Sequence, residues 1–264
     1  MPSSQRIFVD AIKKYCTARG ISVDVRSDGW LIVMQRGRNR HVAFGYDLGL
    51  NSAIAHRIAN DKAATSEMLQ LGGIACVPHT IFLNPKLNVP AAATGSWRSM
   101  LALLERSPQG LVVKPNEGTS GRSVFRVTTP SALELAVLEI FGSHMSLAIS
   151  PYLDIDDEVR VVLLDKDALA VYSKNRDKDW RHNLEFGARP VLLKQGEARE
   201  APVAIAIEAA KAIDIRFSSI DVVRVGGRWQ VLEINSGVMM ETLGKLYPEL
   251  VYAIYSAALD KVFG

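Results

Sequence analysis

The chain has 264 residues, 48% of them hydrophobic and 22% charged, with a formal net charge of +3. That length supports a sizeable core in one domain or two, and the scattered basic residues, with no aromatic-interleaved patch, speak against a nucleic-acid partner. No apolar leader opens the sequence and no run approaches the roughly 18 apolar residues of a membrane span, so a cytoplasmic protein with no membrane partner is expected. Cys16 and Cys76 have no metal-ligand spacing and read as reduced structural thiols.

Residues 5–19 have the apolar spacing of an amphipathic helix, closed by Gly20. Three strands follow in "ISVDV", "WLIVMQ" and "HVAFG", separated by turn residues at 27–29 and 37–39. The basic cluster "RGRNRHVAF" (36–44) reads as a solvated hairpin turn. Asn60 or Asp61 caps a helix that runs through Leu71 to the stop at Gly72–Gly73. Strands are expected at 111–114 and 123–128, then a helix from Ser131 to Gly142. Further strands are expected at 146–150, 158–164 and 169–174, the last two joined at Asp165–Asp167. Helices at 202–213 and 247–262 bracket a hairpin turning at Gly226–Gly227. The stretch 175–201 reads as a long polar loop, the kind that in a compact domain is functional or disordered. Antiparallel runs of strands between helices predict an α+β fold rather than a doubly wound parallel sheet.

Four stretches carry chemistry. "VVKPNEGTSGRSV" (112–124) places Lys114 at the end of an apolar strand, followed by Gly118, Thr119, Ser120 and Gly121. Backbone N–H groups and hydroxyls of such a loop can close around an anion, with the lysine as point charge. It is not a Walker A loop, because the lysine precedes the glycines and a strand follows; alone, the same residues make an ordinary turn. Lys62 sits in the first turn of its helix, against the macrodipole, which suits either a solvated lysine or a second phosphate-seeking one. In "ISPYLDIDDEVRVVLL", Glu158 and Arg160 lie two apart and share a strand face, as a cross-strand ion pair or as site residues. Lys174, at the end of the following strand, can pair back towards them. Finally, "SSIDVVRVGGRWQVLEINSG" carries Asp221, Glu233 and Asn235 among apolar neighbours. A buried carboxylate costs several kcal/mol unless compensated, and a divalent cation is one compensation.

Together these stretches resemble the ATP-grasp ligases over about residues 56–243, nearest the branch of glutathione synthetases, cyanophycin synthetases and ribosomal-protein glutamate ligases. The family's opening segment is similar to "IANDKAATSEMLQLGGIACVP", and its phosphate loop to "VVKPNEGTSGRSV". The resemblance therefore implies that Lys62, Lys114, Gly118, Thr119, Ser120 and Gly121 hold ATP phosphates. "SPYLDIDDEVR" resembles the adenine hinge, which implies Ser150, Tyr152 and Leu153 at the base, Glu158 near the ribose and Arg160 near the γ-phosphate or acyl-phosphate. Lys174 and "RHNLEFGA" resemble the family's basic residue and loop, putting Asn183 near the phosphates. Asp221, Glu233 and Asn235 match the family's magnesium ligands, with manganese as a substitute.

Two positions depart from the pattern: Ser150 stands where a Gln or Glu often contacts adenine, and Ser123 where the loop usually has its second glycine. The implied architecture is two α+β subdomains gripping ATP, about 56–149 and 150–264, after a small helix-and-strand region at 1–55. That region is too short for the Rossmann-like domain of larger relatives, which leaves two ways to complete the acceptor site: the region itself, or a partner subunit of a homo-oligomer. The implied activity is an ATP-dependent carboxylate–amine ligase acting through an acyl-phosphate. Its partners would be small-molecule carboxylates and amines, amino acids or peptides, with Lys174, Arg176, Arg181 and Arg189 favouring an anionic donor. The alternatives are a retired nucleotide-binding module and a kinase that stops after phosphoryl transfer.

The two carboxylates also constrain the hairpin. Glu233 and Asn235 share a strand face, and Asp221 joins it only if the loop has odd length or a bulge intervenes. A three-residue loop, Val225–Gly226–Gly227, with Gly227 at positive φ is the expected solution.

Overall fold

The structure is a computed structural model that describes residues 6–87, 96–118, 123–175 and 189–264. Helix α1 (Ile7–Ala18) ends before Gly20, whose φ of +62° is the left-handed conformation glycine adopts without penalty. Strands β1 (Ser22–Arg26), β2 (Leu31–Arg36) and β3 (Asn39–Phe44) form an antiparallel sheet in that order, placing the basic cluster on the β2–β3 hairpin. Helix α2 (Ala53–Asn60) and helix α3 (Lys62–Leu71) share one residue between them: Asp61 ends the first and caps the second, its carboxylate accepting from Ala64 N at 2.8 Å.

Strand β4 (Thr80–Leu83), helix α4 (Ser96–Glu105), strands β5 (Leu111–Pro115) and β6 (Phe125–Val127), helix α5 (Pro130–Ser143) and strand β7 (Ser146–Pro151) complete a second unit. Its four strands lie in the order β4-β7-β5-β6. Helix α5 starts one residue before the expected Ser131, with Pro130 in the first turn and Thr129 capping through Ala132 N. Strands β8 (Asp157–Leu164), β9 (Asp167–Asn175), β10 (Arg189–Leu192), β11 (Phe217–Val225) and β12 (Arg228–Asn235) make an antiparallel sheet ordered β10-β9-β8-β11-β12. Helix α6 (Glu197–Ala212) precedes β11, and helices α7 (Glu241–Leu246) and α8 (Pro248–Phe263) follow β12.

The expected loop at 175–201 is corrected at its ends. Residues 189–192 pair with β9, and α6 begins at Glu197 rather than 202. The acidic first turn, Glu197 and Glu200, starts that helix at the end where negative charge is favoured. Pro202 then sits inside it, at the cost of one backbone hydrogen bond. Residues 176–188 lie outside the described residues.

The five-stranded sheet packs on both faces. Val159, Val161, Val171, Ile220, Val222, Val231 and Ile234 face α6 and α2 in one core. On the opposite face Val162, Leu164, Tyr172 and Phe217 join a core built with α1, the β1–β3 sheet and α8. A third core lies under β4–β7, with Phe82, Leu111, Val113, Leu147 and Ile149 against α4 and α5. Among the described residues no helix is long and apolar enough to cross a membrane.

The β11–β12 hairpin resolves the parity problem by the bulge, not by the loop. Val225 pairs with Arg228 across a two-residue turn, and Gly226 and Gly227 both have positive φ, +54° and +78°. The register then shifts: Val222 faces Val231 while Asp221 faces Glu233, so Leu232 is the extra residue. Strand alternation reverses there, and Asp221 and Glu233 become direct neighbours on one face.

Both turn glycines have open space where a Cβ would stand, so only backbone conformation decides substitutions there. Gly226→Asn is expected to be nearly neutral, since asparagine tolerates this turn position. Gly227→Val should cost about 1–2 kcal/mol and lower the melting temperature by several degrees. Thermal denaturation of the two variants checks this; equal melting temperatures would refute the assigned turn.

Candidate active site

The site is built from the faces of the two larger sheets. On the five-stranded sheet one cross-strand row reads Glu233, Asp221, Arg160, Tyr172, each the register partner of the next on β12, β11, β8 and β9. Glu158 and Lys174 stand two residues along β8 and β9, and Asn235 opposite Ser219 two residues the other way. Neighbours along and across strands on one face are within side-chain reach.

Asp221 is the centre of this cluster. Arg160 grips it with two hydrogen bonds, Nε to Oδ1 at 2.7 Å and Nη2 to Oδ2 at 2.6 Å. Lys174 Nζ lies 2.8 Å from Asp221 Oδ2 and 2.5 Å from Glu158 Oε1. Burial alone would push the Asp221 carboxyl up, but Arg160 and Lys174 overcome it and hold the group well below the usual carboxylate range. Burial also works against the charges of Arg160 and Lys174. The carboxylates outweigh it and both pKa values are raised.

The four-stranded sheet supplies the other wall. Lys114 of β5 shares a face with Val112, Ala148 and Ser150, opposite the face whose Val113 and Ile149 enter the third core. Burial, with Lys62 adding to it, lowers the Lys114 ammonium to about 8; Glu233, Glu158 and Asp221 oppose this in part. Those carboxylates belong to the five-stranded sheet, so the two sheets share one electrostatic environment. Lys62, at the start of α3, donates from Nζ to Gly118 O at 2.9 Å and to Asn116 O at 3.4 Å. Asn116 is fully buried and accepts from Ala63 N through its side chain, which ties the start of α3 to the chain leaving β5. The cation unfavourable for the helix dipole is thus held by loop carbonyls.

The remaining expected positions divide into those the structure describes and those it does not. Ser150 is buried on the site face, and Tyr152 and Leu153 lie in the segment joining the two sheets, with Arg126 stacked 3.5 Å over the Tyr152 ring. Ser123 has φ of +51°, the left-handed conformation glycine adopts freely, at the position where the resembled loop has glycine. Thr119, Ser120, Gly121 and Asn183 lie outside the described residues. Reading the sequence missed Asn116, Tyr172 and His79. Tyr172 could have been placed by its spacing of two from Lys174; no local pattern marks the other two.

Asp221, Glu233 and Asn235 form a donor set suited to a hard divalent cation. Among the described residues no group of three or more His, Cys, Asp or Glu side chains could hold a metal. Two carboxylates and an amide oxygen nonetheless suit magnesium, which takes one or two carboxylates and completes its shell with phosphate and water. The Asn235 amide nitrogen is buried without a partner, so no hydrogen bond ties that end of the amide down.

The comparisons with known proteins decide the family. Residues 91–248 match the model described as "RimK-like ATP-grasp domain". The chain belongs to the RimK-like ATP-grasp family. A "Probable alpha-L-glutamate ligase 2" from Shewanella amazonensis is 27% identical over 196 residues, 72% of this chain and 60% of that protein. A "Probable alpha-L-glutamate ligase" from Legionella pneumophila is 25% identical over 199 residues, 74% of this chain and 61% of that one. This ATP-grasp chain therefore spans about 60% of the length of the curated relatives it matches. Among solved structures, the D-alanine–D-alanine ligase of Bacillus anthracis, complexed with ATP, superposes with a TM-score of 0.61 at 21% identity, covering 81% of this chain and 67% of that one. A bifunctional glutathione synthetase from Pasteurella multocida gives 0.57 at 14% identity, covering 94% of this chain and 45% of that one. These likenesses show the ATP-grasp fold.

Lys114 makes a prediction about pH in the ligand-free protein. A lysine whose folded pKa lies below its ordinary value costs stability at every pH below the folded value. The cost is relieved as pH rises from about 8 towards 10.5. Lys114→Met should therefore stabilise the protein at pH 7 by on the order of 1–3 kcal/mol, and by less at pH 9.5. Denaturant titration at both values tests it; a variant less stable at pH 7 would show that the carboxylates need this cation.

Proposed function

We propose that the protein is an ATP-dependent carboxylate–amine ligase that forms an amide through an acyl-phosphate. The observation that carries this reading is the convergence of Lys62 at the start of α3 and Lys114, Arg160 and Lys174 on the two sheets with Glu158, Asp221 and Glu233. That set leaves a surplus of positive charge, suited to a polyphosphate bound with a divalent cation.

In this reading Lys62 and Lys114 hold ATP phosphates, joined by Gly118, Thr119, Ser120 and Gly121, while Ser150, Tyr152, Leu153 and Glu158 take the nucleoside. A donor carboxylate oxygen attacks the γ-phosphorus, the bond to the β-phosphate oxygen breaks and ADP leaves. An amine nitrogen then attacks the acyl carbon, phosphate departs, and the nitrogen gives up its proton to water. Arg160, with only two of its five donors spent on Asp221, and Lys174 offset charge on the transferred phosphoryl, and in this reading Asn183 also serves the phosphates. Magnesium or manganese on Asp221, Glu233 and Asn235 would supply charge neutralisation at the phosphates. The donor is an amino acid or peptide carboxylate, in line with the names of the glutamate-ligase relatives.

The test is ADP and phosphate release with ATP, magnesium and a panel of amino acids, dipeptides and small amines. Release stimulated by a donor–acceptor pair, with an amide product, is expected. ADP formed without amide would mark a kinase, and ATP binding without release a binding module. Glu233→Ala should abolish turnover and leave the fold intact, because it removes one of two neighbouring carboxylates. Lys114→Ala should lose most of the thermal stabilisation that ATP gives a protein binding it only when folded.

A further inference from the structure

His79 lies one residue before β4 and is 6% exposed. The register of β4 with β7, Thr80 opposite Ile149, continues to place His79 in line with Ser150, whose partner on β5 is Val112. Strand alternation puts His79, Ser150 and Val112 on the face that also carries Lys114, away from the third core. The backbone of His79 is pinned to α3, its N–H donating to Ser66 Oγ at 3.2 Å.

The ring carries an unmet demand. Nε2 is buried without a hydrogen-bond partner. The Val77 backbone favours a proton on the ring; with that proton on Nδ1, Nε2 is left as the lone-pair nitrogen. Burial, then Lys114 and Lys62, hold the imidazole well below its ordinary pKa, so it stays neutral. In that tautomer Nε2 is a buried lone-pair acceptor, and an unpaired buried acceptor costs about 1–3 kcal/mol until a donor reaches it. In the same cross-strand row Ser150, at the position expected to meet the nucleobase, has only a short hydroxyl.

We propose that His79 reads the nucleobase, with Nε2 accepting a hydrogen bond from the 6-amino group of adenine. The inference rests on the nucleotide-binding reading above and adds to it a residue and a selectivity. Guanine presents an oxygen acceptor at that position, so the same lone pair repels it; a purine with hydrogen there leaves Nε2 unpaired.

The experiment compares binding of ATP, GTP and purine riboside triphosphate, each with magnesium, to the full chain and to His79→Phe and His79→Gln. The parent should bind ATP about tenfold or more tightly over purine riboside triphosphate. His79→Phe, which keeps ring volume without the acceptor, should weaken ATP to the level of the purine analogue and leave the analogue unchanged. His79→Gln, whose carbonyl can accept, should recover part of the preference. A preference retained in His79→Phe overturns the proposal. So does a parent that binds ATP and the analogue alike, an outcome readable even if the Phe variant does not fold. A parent that binds no triphosphate would instead overturn the nucleotide-binding reading, and this proposal with it.

Discussion

The buried carboxylate of Asp221 is the constraint on which the rest of the site depends. A carboxylate at this depth must be neutralised, and Arg160 and Lys174 do it from the two strands beyond β11. Removing one partner of such a pair costs about 3–5 kcal/mol, because the other charge is left buried and alone. The cluster therefore penalises any register of β8, β9 and β11 that separates these residues. A buried charge network is a weak source of net stability but a strong discriminator between registers, and here the register also positions the proposed substrate contacts.

The opposite wall is organised by a different compromise. Lys114 is buried beside Lys62 and only partly compensated by carboxylates that belong to the other sheet. Its charge is worth more to an incoming polyanion than to the protein by itself. Lys62 shows the same economy of position, since loop carbonyls hold it at the start of α3 where an isolated helix would prefer an acid. Two lysines placed against local preference, facing a sheet rich in acids, agree with a site arranged for a bound anion and cation rather than for resting stability.

Much of this was legible in the sequence because long apolar periodicities and charged residues at strand ends survive without tertiary context. The α+β arrangement and the strands carrying Lys114, Arg160 and Lys174 follow from apolar runs and alternation. The rest escaped for identifiable reasons. Helix α2 abuts α3 with Asp61 serving both, so two short helices read as one start signal. Strand β4 has only four residues, too few to show a period. The bulge had a signal that an argument from loop length passed over. In "WQVLEIN" the buried positions are Val231 and Ile234, three apart where an unbroken strand gives two. His79 had none, since a single histidine after a proline says nothing about which sheet will cover it.

The shared core of α1 and α8 bears on the order in which the molecule can be built. Phe8 meets Tyr255 edge to face with centroids 5.1 Å apart, and Ile7 N donates to Glu241 Oε2 at 2.9 Å, a contact spanning 234 positions. Tyr172, whose hydroxyl end lies beside Arg160, is buried in that same core. During synthesis α1 emerges long before the helix it packs on, and contacts of such sequence separation form slowly. The β4–β7 unit, with its own core and local connections, can condense earlier. The wall bearing Asp221 gains its final packing only when α8 closes over α1, so a nascent chain would hold the Lys114 half of the cleft before the acidic half exists.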